Sequence, residues 1–354
     1  MIISRTPFRI SFFGGGTDYP AWFRTHGGGV LATTINKYCY ISCRYLPPFF
    51  AHKIRVVYSR IENCQDVSSI QHPAVREVLR YLKMERGVEV HHDGDLPARS
   101  GMGSSSAFTV GLLHALYALK GQIPSVQQLA KESIYVEQEL LQEAVGCQDQ
   151  VLAAHGGLRH VVFHQNGDIA VDPVTLSSER IDELNSHLML FFTGVSRTAS
   201  NIAQTYSQDL EVKEEVLRVM SQMVDEGIAI LASGDDLGRF GRLLHEGWLA
   251  KRSLSASISN GFIEQLYGEA RRYGAIGGKL LGAGGGGFML LFVRPGDQQH
   301  VRDRLRNLIY VPFRLEFGGS RIIFFDPEED YFKDEKVLAN DRVTTFREFS
   351  RKVP

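Results

Sequence analysis

The feature that most constrains this chain is the segment Leu96 to Ala107, which reads Leu-Pro-Ala-Arg-Ser-Gly-Met-Gly-Ser-Ser-Ser-Ala and opens directly into an apolar helical pattern. Gly101 and Gly103 let the backbone approach a ligand with no Cβ in the way. The first helical turn then offers unpaired N–H groups and the positive end of the helix dipole. Ser104, Ser105 and Ser106 add hydroxyls, one of which could also ligate a divalent cation. The segment therefore reads as a phosphate cradle. A plain N-cap after a loop is the simpler alternative, since Ser is a common cap. Three serines after Gly-x-Gly exceed what a cap requires. The loop lacks the Gly-Lys-Ser/Thr of a Walker sequence, and no His-Arg-Asp catalytic loop is present.

The helix predicted over 104–119 has Ala107, Val110, Leu113 and Leu116 at steps of three, and Gly121 and Pro124 end it. Ser125 then caps a second helix expected to run to about Ala144. Its inner stripe is Val126, Leu129, Ala130, Ser133, Ile134, Leu140, Leu141 and Ala144, and Glu137 falls inside it. A carboxylate on a buried face must be compensated. Mg²⁺ with phosphate oxygens would do this, and so would a buried Arg or Lys. Gly146 is expected to stop the helix. Asp149, between Gln148 and Gln150, reads as a base for a substrate hydroxyl or as an Asx turn.

Gly282-Ala283-Gly284-Gly285-Gly286-Gly287 matches GxGxxG by letter. The dinucleotide fingerprint needs a helix after the glycines. Phe288 to Val293 reads as a strand instead, so that reading fails. A bend bringing backbone to a nucleotide or to the phosphate loop remains, as does a glycine-rich hairpin.

The rest of the chain alternates strand and helix patterns. Strands are expected at 1–13, within 29–46, and near 88–92, 158–163, 188–192, 277–281, 288–293, 311–317 and 321–325. Further helices are expected at 72–84, 198–231, 235–250, 259–273 and 297–308. The length of 354 residues suggests two domains, 1–190 and 191–354. With 39 basic and 40 acidic residues there is no basic stripe for nucleic acid. Cys39, Cys43, Cys64 and Cys147 are scattered and read as reduced thiols. Neither a signal peptide nor a membrane span is expected, so the reading is cytoplasmic.

The glycine-serine loop, the aspartate segment and the glycine cluster, together with Thr6-Pro7-Phe8-Arg9 through Thr17-Asp18-Tyr19, resemble in order the motifs of the GHMP kinases. Pro97 to Ala107 is similar to the family's Pro-x-x-x-Gly-Leu-Gly-Ser-Ser-Ala, with Met102 for Leu. The resemblance covers nearly the whole chain. It implies a two-lobed α/β (α+β) fold. The N-terminal lobe would be like ribosomal protein S5 domain 2, with a left-handed crossover, and the C-terminal lobe would be a sheet with helices. It implies ATP and Mg²⁺ as cofactors. Pro97, Arg99, Ser100, Gly101, Met102, Gly103, Ser104, Ser105 and Ser106 would hold the nucleotide. Ser105 and Glu137 would hold the metal, and Asp149 with Arg9 would act at the transferring phosphoryl. Gly14, Gly15, Gly16, Thr17, Asp18, Gly284 and Gly285 would lie at the substrate.

Where galactokinases carry Gly-Glu-His-Thr-Asp, this chain has Gly14-Gly15-Gly16-Thr17-Asp18, so the pocket should be roomier. Phe13 to Pro20 looks most like the heptose 7-phosphate kinase branch. That branch implies phosphorylation at the anomeric hydroxyl, with a small sugar phosphate and ATP as partners. Another sugar 1-kinase, such as a fucokinase, and a non-catalytic ligand-binding regulator are the alternatives. Arg197, opening a helix beside hydroxyl residues, is the first candidate for the distal phosphate, with Lys251 and Arg252 next; each also fits a solvated surface charge. A homodimer is left open.

Overall fold

The computed structural model describes residues 1–47, 50–98, 100–194 and 210–327, the side chains of 210–212 excepted. Arg99 and Arg197 therefore lie outside the described residues, as do residues 328–354.

The strands are β1 (Ile2–Phe13), β2 (Gly28–Tyr45), β3 (Ile54–Val57), β4 (Ile61–Cys64), β5 (Val88–Gly94), β6 (Arg159–Phe163), β7 (Ile169–Pro173), β8 (Leu188–Phe192), β9 (Ala275–Leu280), β10 (Phe288–Val293), β11 (Ile309–Tyr310), β12 (Leu315–Glu316) and β13 (Arg321–Phe325). The helices are α1 (Pro20–His26), α2 (Pro73–Tyr81), α3 (Ser104–Leu119), α4 (Val126–Tyr135), α5 (Gln148–His155), α6 (Ser178–His187), α7 (Leu210–Ala232), α8 (Gly238–Ser253), α9 (Gly261–Arg272) and α10 (Gln298–Arg304).

A nine-stranded sheet runs β13-β1-β2-β5-β3-β4, with β6 and β12 also on β2 and β7 on β6. Only β3 and β5 pair in parallel. The 18-residue β2 serves three partners in turn: β6 along its first part, β12 at Thr34–Ile35, and β5 along its last part. Its register against β1 shifts between Pro7 and Phe8. Pro7 has no N–H to give the ladder, so a bulge there is economical. A four-stranded antiparallel sheet runs β11-β8-β10-β9. The last two strands return to the first sheet, so that sheet draws on both ends of the chain.

α3 is apolar almost all round and buried from Ser106 to Leu113, as a helix inside a core must be. It crosses β1 at Gly111, where an added Cβ would lie 2.9 Å from Thr6 Oγ1, and Ser4 donates its hydroxyl to Gly111 O at 2.8 Å. The two sheets share one core. Phe12 and Phe13, at the end of β1, meet Phe240 of α8 edge-on at 5.4 and 5.1 Å between centroids. All four cysteines are unpaired and buried.

The helix from Ser125 differs from expectation. Ser125 does cap it, accepting from Gln128 N at 3.1 Å. The α-helix ends at Tyr135, however, and a π turn covers Val136–Leu140, so the helix stops short of Ala144. The extra residue per turn sets Glu137 inward while the chain already leaves the helix. β3, β4, β7 and α6 have no counterpart in the sequence reading. They are short or weakly periodic, and neighbouring strands complete them.

Candidate active site

A cleft of about 360 Å³ lies where the two sheets meet. One wall is the mouth of α3. Its N-cap is Gly103, in the left-handed conformation at φ 71°, which has no side chain to cap the helix. The first turn of α3 stands at the cleft with the positive end of the helix dipole, a setting that favours an anion. Gly101, Gly103, Ser104, Ser105 and Ser106 all line it.

The glycine cluster is the β9–β10 turn, and it also locks the phosphate loop. An added Cβ on Gly101 would lie 2.6 Å from Leu281 O, and one on Gly287 would lie 2.2 Å from Ser100 O. Phe288 donates its N–H to Ser100 O at 3.3 Å. Both readings of the cluster, hairpin and loop-approaching bend, therefore hold together.

Arg9 comes from β1 and Asp149 from the first turn of α5. Arg9 Nε donates to Asp149 Oδ1 and Nη2 to Oδ2, each at 2.6 Å, and Nη1 donates to Gly101 O at 2.6 Å. One guanidinium thus holds the carboxylate and the phosphate loop in fixed relation. Gly103 passes so close that its Cβ would lie 3.1 Å from Arg9 Cγ and 3.3 Å from Asp149 Oδ2.

Glu137 is fully buried on the same side. Its Oε2 accepts from Ser106 Oγ at 2.9 Å and from Gln150 Nε2, while Oε1 has no hydrogen-bond partner among the described residues. Burial pushes its carboxyl up to about 8, against the hydrogen bond from Ser106. Ser11 Oγ, Gln148 Oε1 and Gln150 Oε1 are also buried without partners, and all line the cleft with Glu137. Orphaned polar atoms gathered in one cavity mark a place built for a polar ligand. The unpartnered Glu137 oxygen and the adjacent hydroxyls suit Mg²⁺, which takes one or two carboxylates beside phosphate oxygens.

The remaining sequence candidates divide between the cleft and its supports. Gly15, Gly16, Asp18 and Gly284 line the cleft. Asp18 is buried, with Oδ1 accepting from Gly16 N at 2.9 Å and Oδ2 from Gln148 N at 3.3 Å. Burial raises its carboxyl above the usual range, and Asp149 adds to this. Gly146 does not end the helix; a Cβ there would lie 1.9 Å from Asp18 Oδ2, so it admits the carboxylate instead. Thr17 donates to Gly14 O and Gly29 O at 2.8 and 3.0 Å, which ties the glycine turn down from behind. Gly14 packs on Gly29 O. Ser100 closes a turn onto Pro97 O at 2.6 Å, and Met102 is fully buried with its carbonyl accepting from Arg9 N at 3.1 Å. Gly285 donates its N–H to Ile258 O at 2.9 Å.

Lys279 was not singled out in the sequence, and Lys251 only as a secondary candidate. Both are buried and both line the cleft. Their signal was a lysine inside an apolar strand or helix face, which reads as ordinary snorkelling until the burial is known. Arg252 instead pairs with Glu264 away from the cleft.

A glycine-serine helix mouth that shares its cleft with an arginine-paired carboxylate suits phosphoryl transfer, and fold and site fit the class of small-molecule kinases. Comparison with known proteins points the same way. The GHMP kinases N terminal domain matches residues 69–157, and the GHMP kinases C terminal domain matches residues 228–311, so each half of the chain is similar to that family.

Among relatives, the D-glycero-alpha-D-manno-heptose 7-phosphate kinase of Campylobacter jejuni is 28% identical over 321 residues, 86% of this chain and 93% of its own length. The bifunctional fucokinase/GDP-fucose pyrophosphorylase of Arabidopsis thaliana is 24% identical over 324 residues, 84% of this chain and 30% of its own length. The crystal structure of a D-glycero-D-manno-heptose 1-phosphate kinase from Bacteroides thetaiotaomicron superposes with a TM-score of 0.76 at 24% identity, covering 92% of this chain and all of that one, which shows the fold. No helix among the described residues is long and apolar enough to cross a membrane.

Proposed function

We propose that this chain transfers the terminal phosphoryl group of ATP to the anomeric hydroxyl of a D-glycero-D-manno-heptose 7-phosphate, giving the 1,7-bisphosphate and ADP. The observation that carries the reading is the cleft shared by the glycine-serine mouth of α3 and the Arg9–Asp149 pair. The α3 N–H groups and serines receive the nucleotide phosphates. Asp149 accepts the hydrogen bond of the acceptor hydroxyl and orients its oxygen in line with the phosphorus. As the new O–P bond forms, the bond to the ADP bridging oxygen breaks and the hydroxyl proton leaves toward the carboxylate. Arg9 holds the Asp149 carboxylate in place and offsets charge that develops on the phosphoryl oxygens. Positioning and electrostatics supply the rate.

Glu137 with Ser105 would hold Mg²⁺, whose charge neutralises the phosphates when bound. The sugar assignment rests on Gly14-Gly15-Gly16, which leaves the pocket without the bulk of a Glu-His pair, and on the Campylobacter relative's activity.

The test is ATP consumption across free and phosphorylated hexoses and heptoses. The expected result is fastest turnover with heptose 7-phosphate. Faster turnover of free fucose would make the chain a fucokinase, and ligand binding without turnover of any sugar would make it a regulator.

A further inference from the structure

Two lysines in the cleft are buried without a salt bridge among the described residues, and only Lys251 has a carboxylate, Asp18, near enough to act on its charge. Lys251, on α8, is 7% exposed, and Lys279, on β9, is 6% exposed. Lys279 Nζ donates to Phe12 O at 2.8 Å. Lys251 Nζ donates to Leu280 O at 3.2 Å and to Gly282 O. Among the described residues neither ammonium is in a salt bridge. The cation beside them, Arg9, already has Asp149 as its counter-ion. A buried charge without a charged partner is costly unless something else pairs with it. Here burial and the neighbouring cations push both ammonium groups down, Lys251 to about 7.

Position narrows what that partner is. The α3 mouth, with its own N–H groups and serines, accounts for the nucleotide's phosphates. The lysines stand on the second sheet and its helix, on the glycine-hairpin side of the cleft. Asp18 beside Lys251 belongs to the substrate-side turn. The carbonyls already engaged hold each Nζ in place and leave N–H donors over for a ligand, since an ammonium has three. An acceptor that carries its own phosphate would meet two fixed cations at this wall.

We propose that Lys251 and Lys279 form a second anion subsite that binds the distal phosphate of the acceptor and makes the enzyme select phosphorylated over free sugar. This rests on the sugar-phosphate reading above and adds its specificity determinant.

The test compares heptose 7-phosphate with unphosphorylated heptose as acceptors for wild type, Lys251→Met, Lys279→Met and Lys251→Arg. The wild-type preference in kcat/KM should exceed about 100-fold, and each Met variant should cut it at least about tenfold through the KM of the phosphorylated sugar. Lys251→Arg, which keeps the charge, should retain most of the preference. A second arm titrates inorganic phosphate into enzyme saturated with a non-hydrolysable ATP analogue. Phosphate should bind wild type and not the Met variants.

Equal losses on both sugars would overturn the proposal, as would a preference unchanged in both Met variants. A fall of about tenfold or more in analogue affinity would overturn it too, by giving the lysines to the nucleotide. If wild type uses neither heptose but still binds phosphate through the lysines, the subsite stands and the heptose reading falls.

Discussion

Arg9 and Asp149 lie 140 residues apart and meet through two parallel contacts of 2.6 Å. The same guanidinium reaches Gly101 O in the phosphate loop. A single side chain therefore sets the distance between the glycine-serine loop and the Asp149 carboxylate. Such a planar fork gives direction as well as charge, which a lysine would not.

The first prediction concerns Asp149. Asp149→Asn should lower kcat about a thousandfold while nucleotide Kd stays within about threefold. Single-turnover assays and nucleotide titration measure the two. Near-normal turnover in this variant removes Asp149 from the chemistry.

Glu137 should make stability depend on pH, and on Mg²⁺ if it holds the cation as proposed. Its carboxyl is raised to about 8 in the fold, above an unfolded value near 4.5, so the folded chain binds the proton more tightly. Its contribution is therefore most favourable below pH 4.5 and is lost as pH rises toward 8. A bound cation reverses this by favouring the carboxylate. The rise in Tm on adding Mg²⁺ with an ATP analogue should be larger at pH 8 than at pH 6. Glu137→Gln should flatten that difference and raise the Mg²⁺ needed for half-maximal activity about tenfold. An unchanged Mg²⁺ titration returns Glu137 to a packing role.

Gly287 locks the hairpin to the phosphate loop, with φ at +102° and Ser100 O 2.2 Å from where a Cβ would sit. Gly287→Ala should cost about 2 kcal/mol of stability and raise the ATP KM about tenfold, because the loop must shift. Denaturant melts and ATP saturation curves check it. A stable variant with wild-type ATP affinity would show that the interlock does not shape the phosphate site.

Gly146 leaves room for Asp18. A methyl there would displace the carboxylate that bridges Gly16 N and Gln148 N. Gly146→Ala should raise the acceptor KM about tenfold and leave the ATP KM within about twofold. Parallel losses for both substrates would instead mean that the α5 start, and Asp149 with it, has moved.

Much of this site was legible in the chain. The helix over Ser104–Leu119 and the strands Leu188–Phe192 and Phe288–Val293 fall where their periodicity places them. Glu137 was flagged because it sat on an apolar stripe, and it is indeed buried. The π turn that aims it inward was not visible, since a π turn is a response to tertiary packing and leaves little mark on spacing. Ser105 is expected with Glu137 around a metal; the hydroxyl that donates to Glu137 itself is that of Ser106, one position further round the helix. A rotation of 100° per residue decides which serine faces inward, and only the docking of α3 against its neighbours sets that rotation.

The sequence by itself determined the glycine-serine helix mouth, the helix and strand periods around it, and the order of motifs that resembles the GHMP kinases. Those are local properties of glycine freedom, helix dipoles and apolar spacing. Only the tertiary structure decided the partners: Arg9 with Asp149, Gly287 against Ser100, Asp18 beneath Gly146, and two lysines buried without a salt bridge among the described residues. Each of these joins segments far apart in the chain. The energy of such a contact depends on burial and direction, which exist only once the sheets have packed.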